Sequence, residues 1–364
     1  MEQDTAYEVL WQKKADETAE IVRVYGQTAQ IILPQRIEGY TVTGIAPYCF
    51  SDKEVLPEKG QLHRTRYTAA DNFKRTDEDV RTNPDFISDT DTGINTDFVS
   101  DPATGINQDM LQMVCGSQLE EIMFPESLEE IGSFAFYNCT SLQKIHLYGK
   151  EIKIGSDAFM NTGALREIVC HVRRGESCGI RQILQQISAG IRVRMQDAYG
   201  TYADLFYPEY YEAYDEIAPA HIFGRSIVGE GFRARQCIRD GKIDFASYDA
   251  IFPQACVEES EQTLLKMALC RLREPWELGK EAEERYQAYL TGHIRGAWME
   301  AVRKRDILLL EFLCTKGLLA GQERVFCAAK AAEEDWSEGG AYLLRSGAKE
   351  KGRRHVDRYS FDDL

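Results

Sequence analysis

Between Leu119 and Met195 the apolar positions return every 23 residues: Leu119, Leu142 and Leu165 are equivalent, and so are Ile122, Ile145 and Ile168. The second half of the unit repeats as well, with Ile131, Gly132, Ala135 and Phe136 answered by Ile154, Gly155, Ala158 and Phe159. A fixed period of this length marks stacked repeats, each of which buries its apolar side against its neighbours. The same spacing carried past Cys170 reaches Ile191, where Ile-Arg-Val-Arg-Met predicts a fourth strand. A helical stretch, Ile180 to Ser188, precedes it in place of the phenylalanine half, as suits an atypical capping unit. From Thr263 onward the period changes to that of a helix, with apolar residues at i, i+3 and i+4 in five successive segments. Asp306 suits an N-cap, and Gly317 and Gly347, 30 residues apart, suit helix ends. The expected fold class is α+β multidomain: a mostly β solenoid followed by an all-α helical array.

Leu-x-x-Ile followed by a turn, then Ile-Gly-Ser-x-Ala-Phe and Asn-Cys-Thr-Ser-Leu, resembles the bacterial leucine-rich repeats of the BspA-like type. Upstream, residues 25–50 look like the opening unit of such proteins, with Ile45, Gly44 and Phe50 at the family's Ile-Gly and Phe and with Cys49 in place of Ala. The resemblance implies a solenoid used for binding and implies no catalytic residue. In the helical array Phe312 and Leu313 are answered by Leu343 and Leu344, a pattern faintly similar to ankyrin helix pairs but without their Thr-Pro-Leu-His signature.

These patterns divide the chain into a solenoid over 1–196, an aromatic connector over 197–230, a helical domain over 231–348 and a flexible tail over 349–364. The strand-like Ala19 to Gly26 suits an N-terminal cap. Within the solenoid the repeat vanishes between Ser51 and Ser117, where Asp, Thr, Asn and Lys crowd out large apolar residues; a flexible insertion is expected there. It contains a tandem duplication, Asp85 to Gln108. The duplicated spacing fails as a calcium loop, because Gly93 falls one place early after Asp89 and Asp91 and no glutamate closes the loop. In the connector, Tyr207, Tyr210, Tyr211 and Tyr214 at helical spacing predict one face of a packed helix.

The net charge of −16 opposes association with phosphate backbones, so nucleic acid is not an expected partner. The ten cysteines never form C-x-x-C, and the six histidines include no His-Glu-x-x-His, so neither a metal nor a cofactor is expected. Cys139 and Cys170 occupy apolar repeat positions as small buried hydrophobes. No stretch approaches the roughly 18 apolar residues of a membrane helix. The first residues lack the basic start and apolar run of a secretory signal, so a cytoplasmic location is expected, or the cell surface if a leader has been removed. Gly229 to Ala234 matches Gly-x-Gly-x-x-Ala, but no βαβ series follows. A nucleotide-dependent or hydrolytic helical region therefore stands only as the alternative to a non-catalytic scaffold.

Alternation along the repeat strands points to the binding face. With Ile122, Ile145, Ile168 and Ile191 inward, the outward rows are Met123, His146, Val169 and Arg192, and Pro125, Tyr148, His171 and Arg194, with Arg173 and Arg174 just beyond. Four arginines at the cap end of an acidic chain predict a protein or peptide partner with an acidic segment, bound across Tyr148, His171 and Arg194.

Overall fold

The computed structural model describes residues 7–53, 55–56, 61–67, 112–149, 151–217 and 222–356, grouped in two compact units. The first unit comprises residues 1–187 with 197–199, and the second comprises 188–196 with 200–364.

The first unit opens with Tyr7–Lys13 (β1) and Ala19–Gly26 (β2), an antiparallel pair that closes the end of the solenoid. The coils follow as Gln30–Ile32 (β3), Arg36–Ile37 (β4), Tyr40–Ile45 (β5), Leu62–Tyr67 (β6), Glu121–Met123 (β7), Glu130–Ile131 (β8), Lys144–Tyr148 (β9), Lys153–Ile154 (β10) and Glu167–His171 (β11). Each of the first three coils gives one strand to each of two sheets. In one sheet β3, β7, β9 and β11 are parallel, and Ile31, Ile122, Ile145 and Ile168 lie in register. In the other, β5, β8 and β10 run parallel with Ile45, Ile131 and Ile154 in register. From Ile122 and Ile131 onward both isoleucine ladders are the 23-residue spacing seen from inside. Ile191, the next expected rung, is fully buried on strand Ile191–Asp197 (β12) of the second unit.

Between the sheets the phenylalanines stack directly on one another. Phe50, Phe136 and Phe159 lie ring over ring at 5.0 and 5.1 Å, each buried. Coil-to-coil approach explains the glycine repeated at 132 and 155: a Cβ on Gly132 would stand 2.3 Å from the Pro47 nitrogen, and one on Gly155 would stand 2.3 Å from the Ser133 nitrogen. The register also corrects the opening unit. Ile45 pairs with Ile131, so Ala46 and not Gly44 occupies the place of Gly132, while Cys49 and Phe50 match Ala135 and Phe136 as expected. Arg23, buried on β2, donates to the carbonyls of Tyr48, Cys49, Ser51, Lys53 and Val55 and so holds the first turn with no carboxylate among these acceptors.

The stretch 51–117 differs from the expected flexible insertion where it is described. Leu62–Tyr67 forms β6 and pairs antiparallel with β1 at the sheet edge. Its stability comes from cross-strand contacts: Trp11 stacks on His63 and donates to Thr65, and Tyr7 stacks on Tyr67. A count of apolar residues is blind to such an edge strand. At the other end of the stretch Val114 is fully buried and donates its amide to Val24. The duplication Asp85 to Gln108 lies outside the described residues.

A short helix, Ile180–Gln186 (α1), ends the first unit; Gln182 and Gln186 bond to the backbone of Ile154 and Gly155 on the last coil.

In the second unit β12 is followed by Gly200–Tyr207 (β13), Tyr211–Ile217 (β14) and Ile222–Val228 (β15). The expected aromatic helix is thus three strands. Tyr207 is fully buried and stands in β13, Tyr210 lies in the link, and Tyr211 and Tyr214 are exposed on β14. Tyrosine is as much a strand residue as a helix-face residue, and the β-rich run from Gly200 to Val228 favours the strand. Gly231–Arg235 (α2), Phe245–Asp249 (α3) and Phe252–Glu258 (α4) then lead to the longer helices Glu261–Arg273 (α5), Lys280–Gly292 (α6), Ile294–Lys304 (α7), Ile307–Thr315 (α8), Gly321–Glu333 (α9) and Ser337–Val356 (α10).

Asp306 caps α8 as expected, accepting from the Leu309 amide at 2.9 Å, and Gly317 ends it with φ +70°. Gly347 does not end a helix. It lies inside α10, which runs through Val356, so residues 349–356 are helical and not an irregular tail; residues 357–364 lie outside the described residues. The 30-residue spacing does recur in the backbone: Arg305 and Asp335 are both left-handed, and the next amides, Asp306 and Trp336, both reach back five residues to Ala301 and Ala331. At the centre of this unit Arg271 is wholly buried and forms a bidentate pair with Asp249 at 2.8 and 2.9 Å, and Asp249 also accepts from Tyr286 at 2.9 Å.

Candidate functional site

The outward face of the β3, β7, β9, β11 sheet carries a connected polar cluster. Strand alternation brings Glu121, Met123, Lys144, His146, Tyr148 and His171 to that side, and parallel pairing stacks them. Glu121 bonds to His146 Nε2 at 2.7 Å and to Lys144 at 3.1 Å; His146 Nδ1 meets His171 Nε2 at 3.0 Å. The two imidazole rings are nearly parallel, at 16°, and meet edge to edge with centroids 5.3 Å apart, and Tyr148 stacks on His171 at 5.0 Å. The Tyr148 hydroxyl donates to the Met123 sulfur at 3.7 Å.

These distances fix the direction of each hydrogen bond. Partial burial pushes Glu121 up, but hydrogen bonds from Lys144 and His146 outweigh it and hold the carboxyl below its usual range. An ionised carboxylate only accepts, so His146 donates from Nε2; its Nδ1 then accepts, and His171 donates from Nε2. The relay ends on Nδ1 of His171, which keeps its lone pair. Burial lowers both imidazoles, Glu121 only partly offsets this for His146, and the neighbouring His146 helps to bring His171 down to about 4. Both rings are neutral at pH 7.

A stability consequence follows. In the unfolded chain His171 takes up a proton near pH 6.5, whereas in the fold it does so near 4, so the unfolded state binds more protons between these values. Stability is full above about pH 6.5 and falls as the pH drops towards 4, by about 1–2 kcal/mol from this group once solvent screening is allowed for. Denaturation midpoints at pH 7 and pH 5 check this. The wild type should lose more stability over that interval than His171→Asn, and equal losses would contradict the assignment.

The structure separates the residues expected to bind a partner. Met123, His146, Tyr148 and His171 come together as above. Val169 pairs in register with His146 but is 1% exposed, so it offers no surface, and Pro125 is likewise buried. Arg173 and Arg174 are exposed in the loop after β11, but Arg174 is paired with Asp197 at 2.9 Å. Arg192 and Arg194 lie on β12 in the second unit, half-buried, and Arg192 is held bidentately by the buried Asp204. Arg174 and Arg192 are thus committed to carboxylates within the chain, and the basic end expected from sequence is correspondingly reduced. Glu121 and Lys144, two positions before the predicted row, join the cluster as well, because the alternation that turns Met123 and His146 outward also turns them outward.

The glycine motif at 229–234 has a packing explanation. Gly229 has φ +94°, and a Cβ there would meet the Glu209 carbonyl at 2.6 Å; at Gly231 it would meet the Pro208 carbonyl at 2.1 Å. Arg235 donates to that same carbonyl, and burial lowers its guanidinium to about 10. Among the described residues no group of three or more His, Cys, Asp or Glu is placed to hold a metal ion, and no helix is long and apolar enough to cross a membrane. Cys139 and Cys170 are buried as expected, and burial pushes the Cys139 thiol to about 12.

Two parallel ladders joined by a 23-residue coil define a leucine-rich repeat solenoid whose open sheet face carries the polar cluster. Residues 106–176 match the family described as "BspA type Leucine rich repeat region (6 copies)", and the solenoid is a BspA-type leucine-rich repeat region. No curated protein and no solved structure matches the chain. Repeats of this family generally mediate protein interactions.

Proposed function

We propose that the chain is a non-catalytic protein-interaction scaffold that takes a protein or peptide on the outward face of β7, β9 and β11. The observation that carries this reading is the cluster from Glu121 to Tyr148: its side chains are ordered by one another, half-buried and neutral at the imidazoles, and they cover the sheet face of a repeat type that binds proteins. Polar side chains held in place by one another suit hydrogen bonding to a polypeptide.

Affinity capture from the source cell checks this, with wild type beside Tyr148→Ala combined with His171→Ala. Partners retained by the wild type should be lost or reduced at least about tenfold with the double variant, since a buried interface centre concentrates binding energy. Equal recovery would remove this face from consideration. For the alternative of a nucleotide-dependent helical region, Gly231 is a poor probe because any side chain there collides with Pro208. The exposed Arg233 is the better probe, tested together with Glu230→Gln so that no buried carboxylate is left alone; stabilisation by nucleotide phosphates that persists in Glu230→Gln and disappears in Glu230→Gln with Arg233→Ala would favour that alternative.

A further inference from the structure

Among the described residues two hairpins stand outside the larger sheets: a short one pairing 238–239 with 242–243, and the longer hairpin of β14 and β15. Its two seven-residue strands pair only with each other among the described residues, from Tyr211 opposite Val228 to Ile217 opposite Ile222. Tyr211, Tyr214, Ile227 and Val228 are all exposed, so residues of both faces meet solvent. A lone two-stranded hairpin is marginal in water and needs further strands or a covering element. Its two edges differ in kind. β14 carries three carboxylic residues, Glu212, Asp215 and Glu216, the sort of charge that keeps an edge from pairing. β15 reads Ile-Phe-Gly-Arg-Ser-Ile-Val, apolar, free of proline and with a single charge. That charge is already answered, because Arg225 pairs with Glu212, which also accepts from Tyr214 at 2.8 Å.

The β15 sequence is symmetric about Arg225. Laid antiparallel against itself, Ile222 falls opposite Val228, Phe223 opposite Ile227, and Gly224 opposite Ser226. We propose that β15 is a self-association edge whose occupant is β15 of a second copy of this chain, paired antiparallel about a two-fold axis at Arg225. The result is a four-stranded sheet in the order β14, β15, β15, β14. Apolar residues oppose apolar residues, small oppose small, and each Arg225 is neutralised by Glu212 of its own hairpin. The acidic β14 strands become the outer edges, where like charge stops further strand addition, so the assembly closes at two copies. This surface is distinct from the sheet face of the solenoid and does not depend on it.

Sedimentation equilibrium of the full chain tests the proposal. The average mass should rise from that of one chain towards twice that value between roughly 1 and 100 µM and go no higher, as closed two-fold pairing requires. Ile227→Lys, at an exposed site, should keep the chain monomeric across that range while its thermal melt stays that of the wild type. Cysteine placed at the axis gives an independent reading: Arg225→Cys should yield a covalent dimer in oxidised glutathione, whereas the wild type and Ala213→Cys should not. A wild type that stays monomeric, a dimer that survives Ile227→Lys, or an Arg225→Cys chain that fails to cross-link would each overturn the proposal.

Discussion

Asp249→Ala should destabilise the second unit by about 3–5 kcal/mol, the loss expected when one partner of a buried ion pair is removed and the other stays behind. Arg271 has no exposure at all, and both Asp249 oxygens bond to it. Arg271 also donates to the Trp276 carbonyl at 3.2 Å, which cannot balance a full charge. Tyr286 would lose its hydroxyl partner as well. Removing both charges together, as Asp249→Leu with Arg271→Met, should recover much of the loss, because the cost lies in the stranded cation and not in the missing attraction. Chemical denaturation followed by helical circular dichroism measures both variants. A loss below about 1 kcal/mol for Asp249→Ala would show that water reaches the site.

Phe136→Ala should cost the solenoid a comparable amount, about 3–5 kcal/mol. The ring is fully buried and stacks on Phe50 before it and Phe159 after it, with Phe124 tilted against it at 5.9 Å. The hole left by alanine cannot close easily, because the coils are held at fixed spacing by strand pairing on both sheets. Phe136→Leu should cost less than half as much, since it returns most of the volume. Similar losses for leucine and alanine would mean that ring stacking, and not filled volume, holds the coils together.

The parts of this architecture that were legible in the sequence are those governed by repetition. Ile122, Ile145 and Ile168 could be aligned by spacing alone because each coil solves the same packing problem, and the phenylalanines follow for the same reason. Edge strands are governed by pair contacts and carry no period, so Leu62–Tyr67 went unseen among polar residues even though Trp11 and Tyr7 hold it. Between Tyr207 and Tyr214 the spacing fitted a helix, but burial of Tyr207 beside exposure of Tyr211 and Tyr214 belongs to strands that leave one sheet and form another. The outward face was half legible. Alternation chose the correct side for Met123, His146, Tyr148 and His171, yet it treated His146 and His171 as members of separate rows. Register places His146 opposite Val169 and Tyr148 opposite His171, and the imidazoles meet across the diagonal. Only the lean of the side chains along the strand brings them together, and spacing does not encode that lean.

The proposed partner sits on the outward sheet face of β7, β9 and β11. Photocrosslinking in the source cell, with a benzophenone amino acid in place of Tyr148 and, separately, in place of Glu130 on the other sheet, tests that most directly. Both sites accept the probe: Tyr148 is half-buried at the cluster, and Glu130 is exposed. The probe at 148 should yield a discrete adduct with another protein, and the probe at 130 should yield none. Adducts from 130 alone, or the same adducts from both positions, would contradict the assignment of the binding face.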